Sequence, residues 1–162
     1  MRILAIDPGP EESALLDYDG DLGRVLPKAT GIKANAEVLQ YLQEQDAFGA
    51  NGPLVIEQVC HYGMPVGAEV FETVWWTGRF CEAAGDFIRV PRLTVKMHLC
   101  RSARAKDANV RQALIDRFGG KAKAIGTKKA PGPLYDVKSH LWSALALAVW
   151  AEDTQGGSRH GH

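Results

Sequence analysis

Three side chains of this 162-residue sequence combine a useful chemical type with a position that local structure alone does not explain. Asp7 closes the apolar run Arg2-Ile3-Leu4-Ala5-Ile6, and Glu57 interrupts a second run, Leu54-Val55-Ile56-Glu57-Gln58-Val59. A charged group buried unpaired in such a strand costs on the order of several kcal/mol, so it needs an opposing cation or a metal ion. One such acid is ordinarily a surface-facing strand residue; two placed alike point to a metal site. If the two runs are neighbouring strands, Asp7 and Glu57 face one another across the sheet. A third group comes from the segment Tyr135-Asp136-Val137-Lys138-Ser139-His140-Leu141-Trp142-Ser143, polar at its start and followed by small apolar residues. Read as one helix from about Val137 to Glu152, it puts positions 136, 140 and 143 on one side, because residues three and four apart are neighbours. Its opening turn then points at the two acids. His140 is offered as a metal ligand or as a proton-transfer group, with a reference pKa of about 6.5. Asp136 is either a further metal ligand or a simple helix cap.

Positioning these groups requires a particular set of elements. The run Arg2–Asp7 reads as a buried strand stopped by Pro8 and Gly9. Strands at about Ser13–Tyr18 and Gly23–Lys28, with a turn at Asp19-Gly20-Asp21 between them, complete an antiparallel meander. Asn35 is placed to cap a helix through about Gln45, with Val38, Leu39 and Leu42 on one face. A loop over Gly49–Pro53 leads into the Leu54–Val59 strand. A helix over 68–84 carries Val70, Phe71, Val74, Trp75, Gly78 and Cys81 near helical spacing. A short strand at Phe87–Val90 ends at Pro91, and helices are expected over 94–101 and over 108–118 with Asp107 as cap. The stretch from Gly119 to Pro133 is basic, contains Gly and Pro, and reads as mobile. The order βββαβαβα…α implies a mixed sheet covered by helices, one α/β domain over 1–155, and a flexible polar tail over 156–162. The tail's His160 and His162 are too sparse to argue a metal site.

The chain's net charge of zero conceals a segregation. Residues 1–91 carry 6 Lys/Arg against 14 Asp/Glu, whereas residues 92–129 carry 11 against 2. A basic block of that kind suggests a polyanion partner. Lys106, Arg111, Lys121, Lys123, Lys128 and Lys129 are the candidate phosphate contacts, which give affinity without sequence information. Tyr62 is placed to meet an unpaired base or to pack in the core; the Trp75-Trp76 pair belongs to the core or to a subunit contact. Cysteines at 60, 81 and 100 form no Cys-x-x-Cys pair, which argues against a disulfide framework and a structural zinc site. No apolar run approaches the ~18 residues of a membrane span, and Asp7 comes too early for a signal peptide, so the expected compartment is the cytoplasm.

Taken in order, Ile6-Asp7-Pro8-Gly9, the acid of Val55-Ile56-Glu57-Gln58 and the helix His140-Leu-Trp-Ser-Ala-Leu-Ala-Leu-Ala resemble the RuvC family of the RNase H-like superfamily. The resemblance spans nearly the whole chain. It implies a five-stranded mixed sheet, three antiparallel strands followed by parallel ones, flanked by helices. It also implies a Holliday-junction resolvase, an endonuclease acting on branched DNA as a homodimer, with two Mg2+ or Mn2+ ions held at the matching acids, Asp7 and Glu57, to which His140 is the candidate third ligand. Two ions about 3.5–4 Å apart can activate water and stabilise the leaving oxygen of a phosphodiester, giving in-line hydrolysis without a covalent intermediate. The family commonly carries two acids, or a His and an acid, three apart on the last helix; here Ser143 follows His140, and Asp136 is the available substitute. Imidazole suits transition metals better than Mg2+ does, so Mn2+ is expected to support the faster cleavage.

Other readings compete. The same fold could act on RNA or on flapped DNA, or could bind junctions with a decayed active site. A sugar-kinase or actin-like ATPase also begins with a strand and an Asp-x-Gly turn, but needs two large lobes. No phosphate loop of the Gly-x-x-x-x-Gly-Lys-Ser/Thr type is present, so no nucleotide cofactor is expected.

Overall fold

A computed structural model describes residues 1–44 and 52–156. The expected helix end at Gln45, the start of the loop before Pro53 and tail residues 157–162 lie outside the described residues.

The central strand is β1, Arg2–Asp7, whose Ile3, Leu4, Ala5 and Ile6 are fully buried because helices cover both of its faces. It pairs antiparallel with β2, Glu12–Asp19, which pairs antiparallel with β3, Arg24–Ala34. On its other side β1 runs parallel to β4, Leu54–Gln58, which runs parallel to β5, Phe87–Pro91. The order is therefore β3-β2-β1-β4-β5, the expected mixed five-stranded sheet. The third strand continues to Ala34, past the expected end at Lys28. It lies on the sheet edge, where Pro27 and Gly31 interrupt no central ladder.

Strand periodicity of two sorts the side chains between two cores. Leu4, Ile6, Leu54 and Ile56 pack against α1, Asn35–Glu44, and α2, Ala68–Ala84. Ile3, Ala5 and Val55 face the opposite core, which includes α6, Leu141–Gln155. Between β5 and α6 the chain forms α3, Arg92–Cys100, α4, Asp107–Arg117, and the single turn α5, Lys121–Ala124.

Four expectations are corrected. Asn35 is the first residue of α1, and its buried side chain is spent on the β1–β2 turn: Nδ2 donates to the Gly9 carbonyl at 2.9 Å, and Oδ1 accepts from Ser13 Oγ at 2.6 Å. Asp107 does not cap α4; Lys106 precedes it, and the Asn109 side chain accepts the Lys106 N–H at 2.8 Å. The stretch Gly119–Pro133 is held by backbone hydrogen bonds, Gly132 to Ile125 and Leu134 to Ala124 (both 2.8 Å), with Ala124 and Leu134 fully buried. Finally, α2 buries Thr73, Thr77, Phe80, Cys81 and Ala84, while Phe71, Val74 and Trp75 of the expected stripe face outward.

Candidate active site

Asp7 and Glu57 follow directly from strand geometry. Ile6 and Ile56 are register partners on neighbouring parallel strands, so the next residue of each strand is an acid at the same edge of the sheet. Both have the parity of Ala5 and Val55, which turns them toward the α6 side. Asp7 is 8% exposed and the Glu57 side chain 18%, so neither acid is freely solvated. The turn after Asp7 is tight: a Cβ on Gly9 would collide with the Glu12 carbonyl, and the Gly9 N–H donates to Ser13 Oγ at 3.2 Å. Ser13 and Asn35, both buried, thus fix the loop that carries Asp7.

His140 joins them from the other layer. Its Nδ1 lies 3.0 Å from Asp7 Oδ2, a hydrogen bond that puts the proton on Nδ1 when the carboxylate is ionised. The preceding residue, Ser139, has φ of 48°, a left-handed conformation uncommon for a residue with a Cβ. That kink ends the incoming turns and lets α6 begin at Leu141, later than the expected Val137. Asp136 therefore does not stand one helical turn before His140. It is exposed in a turn and is not among the residues lining the cleft that holds the acids.

A fourth group emerges only from the three-dimensional arrangement. Arg92 begins α3 immediately after β5, the third parallel strand. Its Nε lies 3.6 Å from Glu57 Oε2, its Nη1 3.8 Å from Asp107 Oδ1, and its Nη2 donates to Ser143 Oγ at 3.4 Å. Asp7, Glu57 and Arg92 thus stand at the C-terminal ends of three adjacent parallel strands, where open α/β sheets place their ligands. They share with His140 an open cleft of about 730 Å³ whose rim is acidic, with Glu11, Glu12, Glu69 and Glu72.

Burial pushes the Glu57 carboxyl up to about 7, and the neighbouring Asp7 charge adds to the rise, against Arg92, which lowers it. Burial also raises Asp7, with His140 and Arg92 offsetting part of the rise. Desolvation and mutual repulsion both oppose ionisation of the two carboxylates, and nearby cationic charge favours it. Among the described residues, no group of three or more His, Cys, Asp or Glu side chains is arranged around one metal centre. Asp7 turns to His140, and Glu57 to Arg92. The donor chemistry itself, two hard carboxylates beside an imidazole, fits a divalent ion of the Mg2+ or Mn2+ kind.

The basic candidates lie on one stretch of surface elements. Lys106 precedes α4, Lys121 and Lys123 stand on α5, and Lys128 and Lys129 occupy the turn closed by the Gly126–Pro131 bridge; all are exposed. Arg111 of α4 lies over the Trp142 ring at 4.9 Å. It lines a groove of about 450 Å³ together with Arg92, His140 and Ser143, linking the basic surface to the acid cleft. Tyr62 is 61% exposed rather than packed in the core, also at a positive φ, 48°. The cysteines are all free. No described helix is long and apolar enough to cross a membrane.

No protein-family model matches the chain, and no curated protein matches it. Solved structures do. A Thermus thermophilus RuvC structure superposes with a TM-score of 0.66 at 20% identity, covering 96% of this chain and 97% of that one. T. thermophilus RuvC in complex with a Holliday junction substrate superposes with a TM-score of 0.58 at 19% identity, covering 92% of this chain and 91% of that one. The fold is RNase H-like, and within that class it is RuvC-like over nearly the whole chain.

Proposed function

We propose that this chain is a divalent-metal-dependent endonuclease that resolves four-way DNA junctions by paired hydrolytic nicks. The observation that carries this reading is the meeting of Asp7 and Glu57 at the ends of neighbouring parallel strands, with His140 beside Asp7, on a fold like that of a protein solved with a Holliday junction. A bound divalent ion would neutralise phosphate charge, activate the attacking water and stabilise the leaving oxygen. Asp7 and Glu57 are the residues to hold it, and their burial makes them depend on it. His140, 70% exposed and hydrogen-bonded to Asp7 through Nδ1, is able to join the ligand set or to take part in proton transfer. The Ser13–Asn35–Gly9 network keeps the Asp7 loop in register.

Lys106, Arg111, Lys121, Lys123, Lys128 and Lys129 hold phosphates on either side of the scissile bond in this reading, with Arg111 joining their surface to the cleft. Two nicks related by symmetry call for a two-fold dimer. The outward face of α2, with Phe71 65% and Trp75 57% exposed, is the surface we assign to it. A second reading, a junction-binding protein without cleavage, is favoured by one observation: Ser143 offers no carboxylate, and His140 and Arg92 already pair with the two acids.

Labelled four-way junction, matched duplex, flapped DNA and RNA–DNA hybrid, incubated with the protein and Mn2+ or Mg2+, separate these readings. We expect paired cuts at the junction centre and faster cleavage with Mn2+. Equal cutting of all substrates, or preference for the hybrid or flap, would discard the resolvase reading; tight junction binding with no cut under either ion would favour the second.

A further inference from the structure

Arg92 presents its three guanidinium nitrogens to three different partners: Nε to Glu57, Nη1 to Asp107 and Nη2 to Ser143. These partners come from β4, α4 and α6, so the guanidinium sits where three elements converge. Its contacts of 3.4–3.8 Å are longer than ideal hydrogen bonds, as expected of a charge centred among groups rather than locked on one. An arginine in a protein keeps its proton at every working pH, so this positive charge is permanent.

Inside the acidic rim of Glu11, Glu12, Glu69 and Glu72, the charges nearest the two strand-end acids divide in two. Asp7 has an imidazole at 3.0 Å and no arginine within ion-pairing distance among the described residues. Glu57 and Asp107 have the guanidinium between them. On that second side α6 contributes the neutral hydroxyl of Ser143, which cannot serve a second hard cation as a carboxylate would. Lys96 adds further positive charge toward Glu57.

Resting on the nuclease reading above, we propose that Arg92 is a built-in cation filling the Asp107–Ser143 side of Glu57, so that the site takes one divalent ion, held by Asp7 and Glu57 beside His140, rather than two. Arg92 then supplies on its side the charge stabilisation that a second ion would otherwise provide.

Calorimetric titration of Mn2+, without DNA, tests this directly. One ion per chain is expected for the wild type and for Arg92→Lys, which keeps the charge. The double variant Arg92→Ala/Ser143→Asp, which removes the guanidinium and adds a carboxylate, is expected to bind two. The Arg92 side chain is 40% exposed, so its removal leaves the cores intact, and thermal melts confirm the fold before titration. Cleavage by Arg92→Ala should fall about 100-fold, the usual effect of losing one fixed electrostatic stabiliser, and added guanidinium should restore part of it. Two ions in the wild type, or one in the double variant, would overturn the proposal. Counts of one and two with no DNA cut by the wild type would leave it standing and remove the nuclease reading; two ions in an active wild type would do the reverse.

Discussion

The two charged regions of this molecule obey different physics. In the cleft, Asp7 and Glu57 are held on neighbouring strands, largely out of water, with the His140 imidazole beside Asp7 and the Arg92 guanidinium beside Glu57. On α4, α5 and the 126–131 turn, Lys106, Lys121, Lys123, Lys128 and Lys129 stand in solvent, with no side-chain partner that competes with a phosphate among the described contacts. A few desolvated charges make steep, individually decisive contributions, because each change leaves another buried group uncompensated. Many solvated charges make shallow, additive and salt-screened ones. In the proposed function, chemistry is assigned to the first region and affinity to the second.

That contrast can be broken or sharpened by substitution. The largest effect is expected for Glu57→Gln. Cleavage should fall by about 1,000-fold, the scale of losing a principal electrostatic stabiliser, measured under single-turnover conditions. The same change should make the metal-free protein more stable at pH 8. Burial places the folded-state pKa of Glu57 at about 7, above its ordinary value. Its contribution is therefore fully present below the usual glutamate range and is lost as pH rises through about 7. Removing the charge should recover roughly 1–3 kcal/mol in urea melts at pH 8 and nothing at pH 4. Equal stability of the two proteins at pH 8 would contradict a desolvated Glu57.

A smaller effect is expected for His140→Ala, which leaves both carboxylates in place. Cleavage should drop about 100-fold, within the range for one proton-transfer group, and the rate advantage of Mn2+ over Mg2+ should narrow. The smallest effect belongs to the solvated region. Replacing Lys121, Lys123, Lys128 and Lys129 together by Gln should weaken junction binding about 10- to 100-fold at 0.1 M salt, lower the salt slope by up to about 3.6, and leave kcat nearly unchanged. A large loss of kcat in that variant would erase the division between the regions.

What could be read in the sequence follows the range of the signal. Asp7 and Glu57 were legible because an acid at the end of an apolar strand is a local contradiction, and β1, β4 and α2 have their boundaries set by local pattern and turn residues. His140 was legible as a polar opening to an apolar helix. The start of α6 at Leu141 was not legible, because it depends on the left-handed Ser139, a conformation its residue type does not announce. Arg92 carried no signal beyond its place in a basic block, since its role arises only when β5 pairs beside β4 and α6 brings Ser143 to it. The α2 stripe was read at the right spacing but on the outward face: two threonines, Thr73 and Thr77, are buried because their hydroxyls bond backbone carbonyls within the helix, Glu69 and Thr73, at 2.9 and 2.8 Å. Hydroxyls satisfied locally make such a face buriable, which a hydrophobic pattern does not reveal.

The most direct test of the acid cleft as a metal-dependent nuclease site is junction cleavage by the wild type and Asp7→Asn, compared with Mn2+ and with EDTA. Symmetric nicks that require Mn2+ and disappear in Asp7→Asn, while the variant still binds the junction, are the predicted result. Cleavage that survives EDTA or the Asp7→Asn substitution would contradict it.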